Sequence, residues 1–101
     1  MHEIDSYGLS VYGNQDGFQD TRTQISLNNG GTQVGFINFH DHGMNFPADS
    51  VDQFNRISMH LPSLMLHNIL DILRNESPLY IDIQGSNAVL FTSLEPAGER
   101  D

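Results

Sequence analysis

The sequence predicts an α+β fold: a two-layer sandwich with an antiparallel sheet of about five or six strands and one main helix, Ser63 to Asn75, on one face. Three observations carry this expectation. Two β-branched and aromatic runs, Thr21 to Leu27 and Gln33 to Phe39, flank Asn28-Asn29-Gly30-Gly31-Thr32, whose Asn-Gly and Gly-Gly steps supply the positive φ that tight hairpins need. After Pro62 the apolar period changes from two to 3.6, with Leu66, Ile69, Leu70 and Leu73 at helical spacing and Met65 and Ile72 widening the stripe. Two further runs, Leu79 to Gln84 and Ala88 to Ser93, meet at the turn Gly85-Ser86-Asn87. Hairpins segregated from a single helix favour an antiparallel sheet covered on one face.

Taken in order, residues 1–6 are expected to fray, and Tyr7 to Tyr12 forms a strand in which Leu9 and Val11 alternate with Gly8 and Ser10. Gly13, Asn14, Asp16 and Gly17 make a loop. In the second hairpin strand, simple alternation sends Val34 and Phe36 to one face and Ile37 and Phe39 to the other. His40 to Asn55 is the longest irregular stretch, with Asp49 or Ser50 placed to cap a short helical turn holding Val51 and Phe54. Alternation resumes from Arg56 to Leu61. Ser63 is the expected helix N-cap, Arg74 suits the negative end of the helix dipole, and Asn75 and Pro78 end the helix. The tail from Glu95 to Asp101 is Pro, Gly and charge, and is expected to fray. The whole chain, 1–101, is read as one domain.

Thirteen acidic residues against four arginines (Arg22, Arg56, Arg74 and Arg100) and no lysine give a formal net charge of −9. Scattered arginines among so many carboxylates cannot form the basic patch that phosphate binding requires, so nucleic acid is excluded as a partner. The same charge argues against anionic membranes, and no apolar run approaches the roughly 20 residues of a bilayer span. The opening Met-His-Glu-Ile-Asp-Ser lacks a basic region followed by an apolar stretch, which makes the cytoplasm the expected location. With no cysteine, disulfides, thiolate metal sites and cysteine nucleophiles are all ruled out.

A helix of about 13 residues is roughly 20 Å long and covers only one face of three or four strands. Apolar groups on the far face need a cover, which can be the N-terminal strand and the loop around Phe46 and Phe54 folding over it, a second copy of the chain in a homodimer, or both together. The expected interaction surface is Ile37, Phe39, Met44, Phe46, Phe54 and Tyr80. His40 and His42 share a face if the strand continues, and His60 can add a third nitrogen, so these three are candidate ligands for a divalent transition metal. The His-x-His pair resembles the start of the cupin motif. Phe46 and Pro47 stand where that motif has its glutamate, however, and six strands are too few for a jelly roll, so nothing of that family is carried over.

No Gly-x-Ser-x-Gly elbow, phosphate-binding loop or dinucleotide fingerprint is present in the sequence. The expectation is therefore a small, acidic, non-catalytic protein-interaction or structural module acting as a homodimer, with no cofactor beyond a metal at the histidines. Two alternatives accompany it: a metal-binding protein or metal-dependent enzyme using His40, His42 and His60, and an acidic inhibitor of a basic protein partner.

Overall fold

The computed structural model describes residues 1–93, so the expected fraying of 95–101 lies outside the described residues. The fold is α+β and mostly strand: β1 (His2–Ile4), β2 (Ser6–Val11), β3 (Thr23–Asn29), β4 (Thr32–His40), β5 (Ser50–Val51), β6 (Ile57–Pro62), helix α1 (Leu66–Asn75), β7 (Leu79–Gln84) and β8 (Asn87–Thr92). A 3-10 turn, Ser63–Met65, leads into α1. The strands form two sheets rather than the single sheet expected, one of three strands in the order β1-β7-β8 and one of five in the order β2-β3-β4-β6-β5. Strand β7 takes its second partner from the N-terminus, where His2 to Ile4 pair with Ile81 to Leu79 and Ile4 is buried, instead of joining the β3–β4 hairpin. Residues 2–4 are thus part of a ladder and do not fray.

The β3–β4 hairpin closes through Gly30 and Gly31, both at positive φ (61° and 83°), as a two-residue turn with twist matched to its strands requires. Its register slips between Leu27 and Asn28, because Leu27 pairs with Gly35 and Asn28 with Gln33. The extra residue is Val34. A bulge of this kind breaks simple alternation: Val34 joins Ile37 and Phe39 in the buried core, while Phe36 stays on the opposite face beneath the Arg56 guanidinium. This corrects the sequence expectation, which split Val34 from Ile37 and Phe39.

β4 pairs with β6 in parallel, not antiparallel, because residues 41–56 carry the chain back to its starting end. That segment exceeds the dozen or so residues a crossover needs. On the way it adds β5, which pairs with β6 where a helical turn was expected. Asp52 then organises a tight turn by accepting the Phe54 and Arg56 backbone N–H groups and the Arg56 Nε–H. Gly35 sits where β4 and β6 approach closely, and a Cβ there would lie 2.6 Å from the Ile57 carbonyl oxygen.

Between the sheets and the helix lies one core. Phe39, Ile25, Leu27, Ile37, Ile57 and Ile81 are its largest fully buried side chains, each stabilising the fold by roughly 1.5–3 kcal/mol. Ile69 of α1 is buried in it, with Leu66, Leu70 and Leu73 packed alongside as the helical period requires. The helix start departs from expectation. Ser63 makes no cap bond, because its hydroxyl is taken by Asp41 on the β4–β6 connection.

Replacing Gly35 by alanine is expected to cost about 1–3 kcal/mol, since the methyl group meets backbone that cannot swing aside. Gly13→Ala, with open space around the position and no positive φ, is the control and should leave the denaturant midpoint unchanged.

Candidate functional site

The outer face of the five-stranded sheet, away from the core, carries polar groups that the fold buries. Asn38 and His40 are both nearly inaccessible, at 7% and 3% exposed. Asn38 accepts a bond from the Gln24 side chain across the hairpin at 2.8 Å. In the parallel register His60 lies opposite Asn38, so its ring meets that of His40 diagonally. The two rings stack at 5.0 Å between centroids, with His40 Nε2 and His60 Nδ1 2.8 Å apart.

His40 Nδ1 faces the Asp20 carbonyl oxygen, which can only accept. His40 therefore carries its proton on Nδ1, and in the neutral pair its Nε2 accepts from His60 Nδ1–H. The His60 backbone N–H donates to Asp49 at 2.7 Å, and the Phe46 ring lies 5.1 Å from that of His40. Burial, followed by the neighbouring His40 charge, pushes the His60 pKa below the ordinary imidazole range, with the Asp49 carboxylate opposing.

Beside the pair, Asp41 and Arg22 tie three segments together. Arg22 Nε donates to Asp41 Oδ2 at 2.7 Å, Nη1 to the Tyr12 and Asn14 carbonyls, and Nη2 to the Gln15 carbonyl. Asp41 Oδ1 accepts from Ser63 Oγ at 2.6 Å, and the Asp41 backbone N–H points to Met44 Sδ at 3.2 Å. The Ser63 hydroxyl and then the Arg22 guanidinium hold the Asp41 carboxyl below the usual carboxylate range. An open groove of about 600 Å³ runs over this region, lined by His40, His42, Met44, Phe46 and Leu64 among others.

The three candidate metal ligands are not brought together as ligands. His40 has both ring nitrogens engaged, His60 is its hydrogen-bond partner, and His42 is exposed on the following loop. Among the described residues, no group of three His, Asp or Glu side chains is placed to hold a metal ion.

Nor does the expected interaction surface form one patch. Ile37 and Phe39 are at 0% exposure in the core. Ile37 pairs with Ile25 and faces the core with it, and the bulge brings Val34 to that same face. Met44 is half-buried, while Phe46 and Phe54 are exposed, Phe54 lying against Arg56. Tyr80 is half-buried on the other sheet, stacked on Phe91 at 5.5 Å.

Arg22, Asp41, Ser63, Asp20 and Asp49 complete the site and were not anticipated in these roles. Their partners are remote in sequence, and the one available signal was a lone arginine between a polar loop and a strand. With this geometry in view, comparison with known proteins adds no relative: no family model, curated protein or solved structure matches the chain.

Arg22→Ala should cost on the order of 2–3 kcal/mol, because it strips charged hydrogen bonds from loop carbonyls that it half-buries. Chemical denaturation measures this, and a loss below about 0.5 kcal/mol would contradict the anchoring role. The depressed Asp41 pKa contributes stability that is present at neutral pH and lost as the pH falls below the ordinary carboxylate range. Asp41→Asn should therefore be less stable at neutral pH and show a flatter acid limb.

A ¹⁵N-imidazole NMR titration should find His60 neutral to a lower pH than free imidazole. Its share of stability is full above the ordinary imidazole range and fades as the pH falls toward the lowered value.

Proposed function

We propose that the protein is a small, acidic, non-catalytic interaction module that works as a homodimer through protein contacts. The observation that supports this most directly is an edge of the five-stranded sheet that no other strand pairs among the described residues. β2 lies at that edge, and along Ser6–Val11 it carries no charge and no proline. Leu9 and Val11 on it are 46% and 67% exposed. An edge of this kind is a template for pairing with another chain unless charge, proline or a cover blunts it. The polar groups of the central segment point the same way, because His40, Asp41 and Arg22 spend their bonding capacity inside the molecule.

A second reading, inhibition of a basic protein, is supported by the net charge of −9. Salt separates the two. Two copies of a strongly acidic chain repel, so their association tightens as salt rises, whereas an acidic chain on a basic partner is released. Analytical ultracentrifugation at tens of micromolar should return twice the 11.3 kDa chain mass. A single-chain mass under those conditions would remove the homodimer from consideration.

A further inference from the structure

We infer that two copies join β2 to β2 in antiparallel fashion about a two-fold axis at Leu9, merging their five-stranded sheets into one continuous sheet. The inference rests on the homodimer reading and specifies its interface. The two-residue hairpin turn makes Asn29 and Thr32 a hydrogen-bonded pair. Alternation from there directs the backbone groups of Gln24, Ser26 and Asn28 to β2. Their partners in the ladder are Ser10, Gly8 and Ser6. The N–H and C=O groups of Tyr7, Leu9 and Val11 therefore point out of the sheet edge.

An antiparallel pair places opposed side chains on the same face, so a two-fold axis normal to the sheet must set a residue opposite itself. Centring on Leu9 is the register that engages all three outward residues: Tyr7 with Val11 of the second copy, Leu9 with Leu9, and Val11 with Tyr7. Each is a pair that exchanges two backbone hydrogen bonds. Tyr7, Leu9 and Val11 also share the core-side face, opposite Leu27, Ile25 and Thr23. The junction thus continues the apolar layer across the axis, where Leu9 and Val11 now stand exposed.

Charge fits the same register. Asp5, the nearest acid, falls opposite Gly13 of the second copy, so no carboxylate faces another across the ladder. The other described edges are poor competitors. β5 has two residues, β1 has three, and the outward Ala88 N–H of β8 is already held by Asp49 at 2.9 Å.

The chain has no cysteine, so single replacements read the register without background. Leu9→Cys places two sulfurs across a pair whose Cα atoms are about 5.5 Å apart, within the range a disulfide accepts. Mild oxidation should convert most of the protein to a covalent dimer. Val11→Cys sets its two sulfurs about 13 Å apart along the strands and should stay uncrosslinked. Val11→Lys, at a position the monomer leaves exposed, should weaken dimerisation at least tenfold while leaving the monomer's thermal midpoint unchanged.

A wild-type chain that sediments as a dimer, with Leu9→Cys uncrosslinked or Val11→Cys crosslinked more readily, overturns the β2 register and leaves the homodimer reading standing. A wild-type chain that sediments as a single copy overturns both.

Discussion

A strand covered on both faces must find a partner for every polar side chain it carries, and β4 is such a strand. On its inner side Val34, Ile37 and Phe39 enter the common core. On its outer side Asn38 and His40 are almost as inaccessible. An unpaired buried amide or imidazole costs more than its hydrogen bond returns, so the surrounding chain is arranged to supply partners. Gln24 serves Asn38, and the Asp20 carbonyl and His60 serve His40. No buried side-chain nitrogen or oxygen among the described residues is left without a partner. The parallel register of β6, the loop bearing Asp20 and the overlay of Phe46 bring those partners and that cover to β4.

This explains why the histidines, which drew attention in the sequence, read structurally as scaffold. Their spacing suits a metal only if both lone pairs are free to converge. Here one ring is spent on a backbone carbonyl and on its neighbour, and the third histidine is displaced onto the loop. Asp41 and Arg22 are similarly committed, since between them they tie the loop after β2, the 3-10 turn before α1 and the end of β4. Among the exposed large apolar side chains are Leu9 and Val11 on β2 and, beside the central loop, Phe46 and Leu64, at 51% and 81% exposed.

Local signals were legible and remote ones were not. The Gly30-Gly31 turn, the period of α1 and the span Leu79–Gln84 each depend on a few neighbouring residues, and each appears where the residues alone place it. The division into two sheets depends on β7 choosing β1, a partner some 75 positions away, for which no short-range pattern exists. The bulge at Val34 left one trace, the glycine that follows it, but Gly35 is explained only once the β6 backbone is alongside. Ser63 and Asp49 show the same limit. Both carry the right chemistry for helix caps, yet a stronger acceptor or donor from another segment claims each of them. His40 and His60, two of the three candidate ligands, lie side by side, and the groups that determine their bonding come from segments remote in sequence.

Asp49 joins the two sheets. One of its carboxylate oxygens takes the backbone N–H of His60 in the five-stranded sheet, and the other takes that of Ala88 in the three-stranded sheet. A single side chain on an otherwise irregular loop thereby latches β6 of one sheet to β8 of the other. Opening either sheet strands a charged acceptor that the other is using, so local openings on the two sides are thermodynamically linked. The molecule's cooperativity thus depends in part on a residue that belongs to neither sheet.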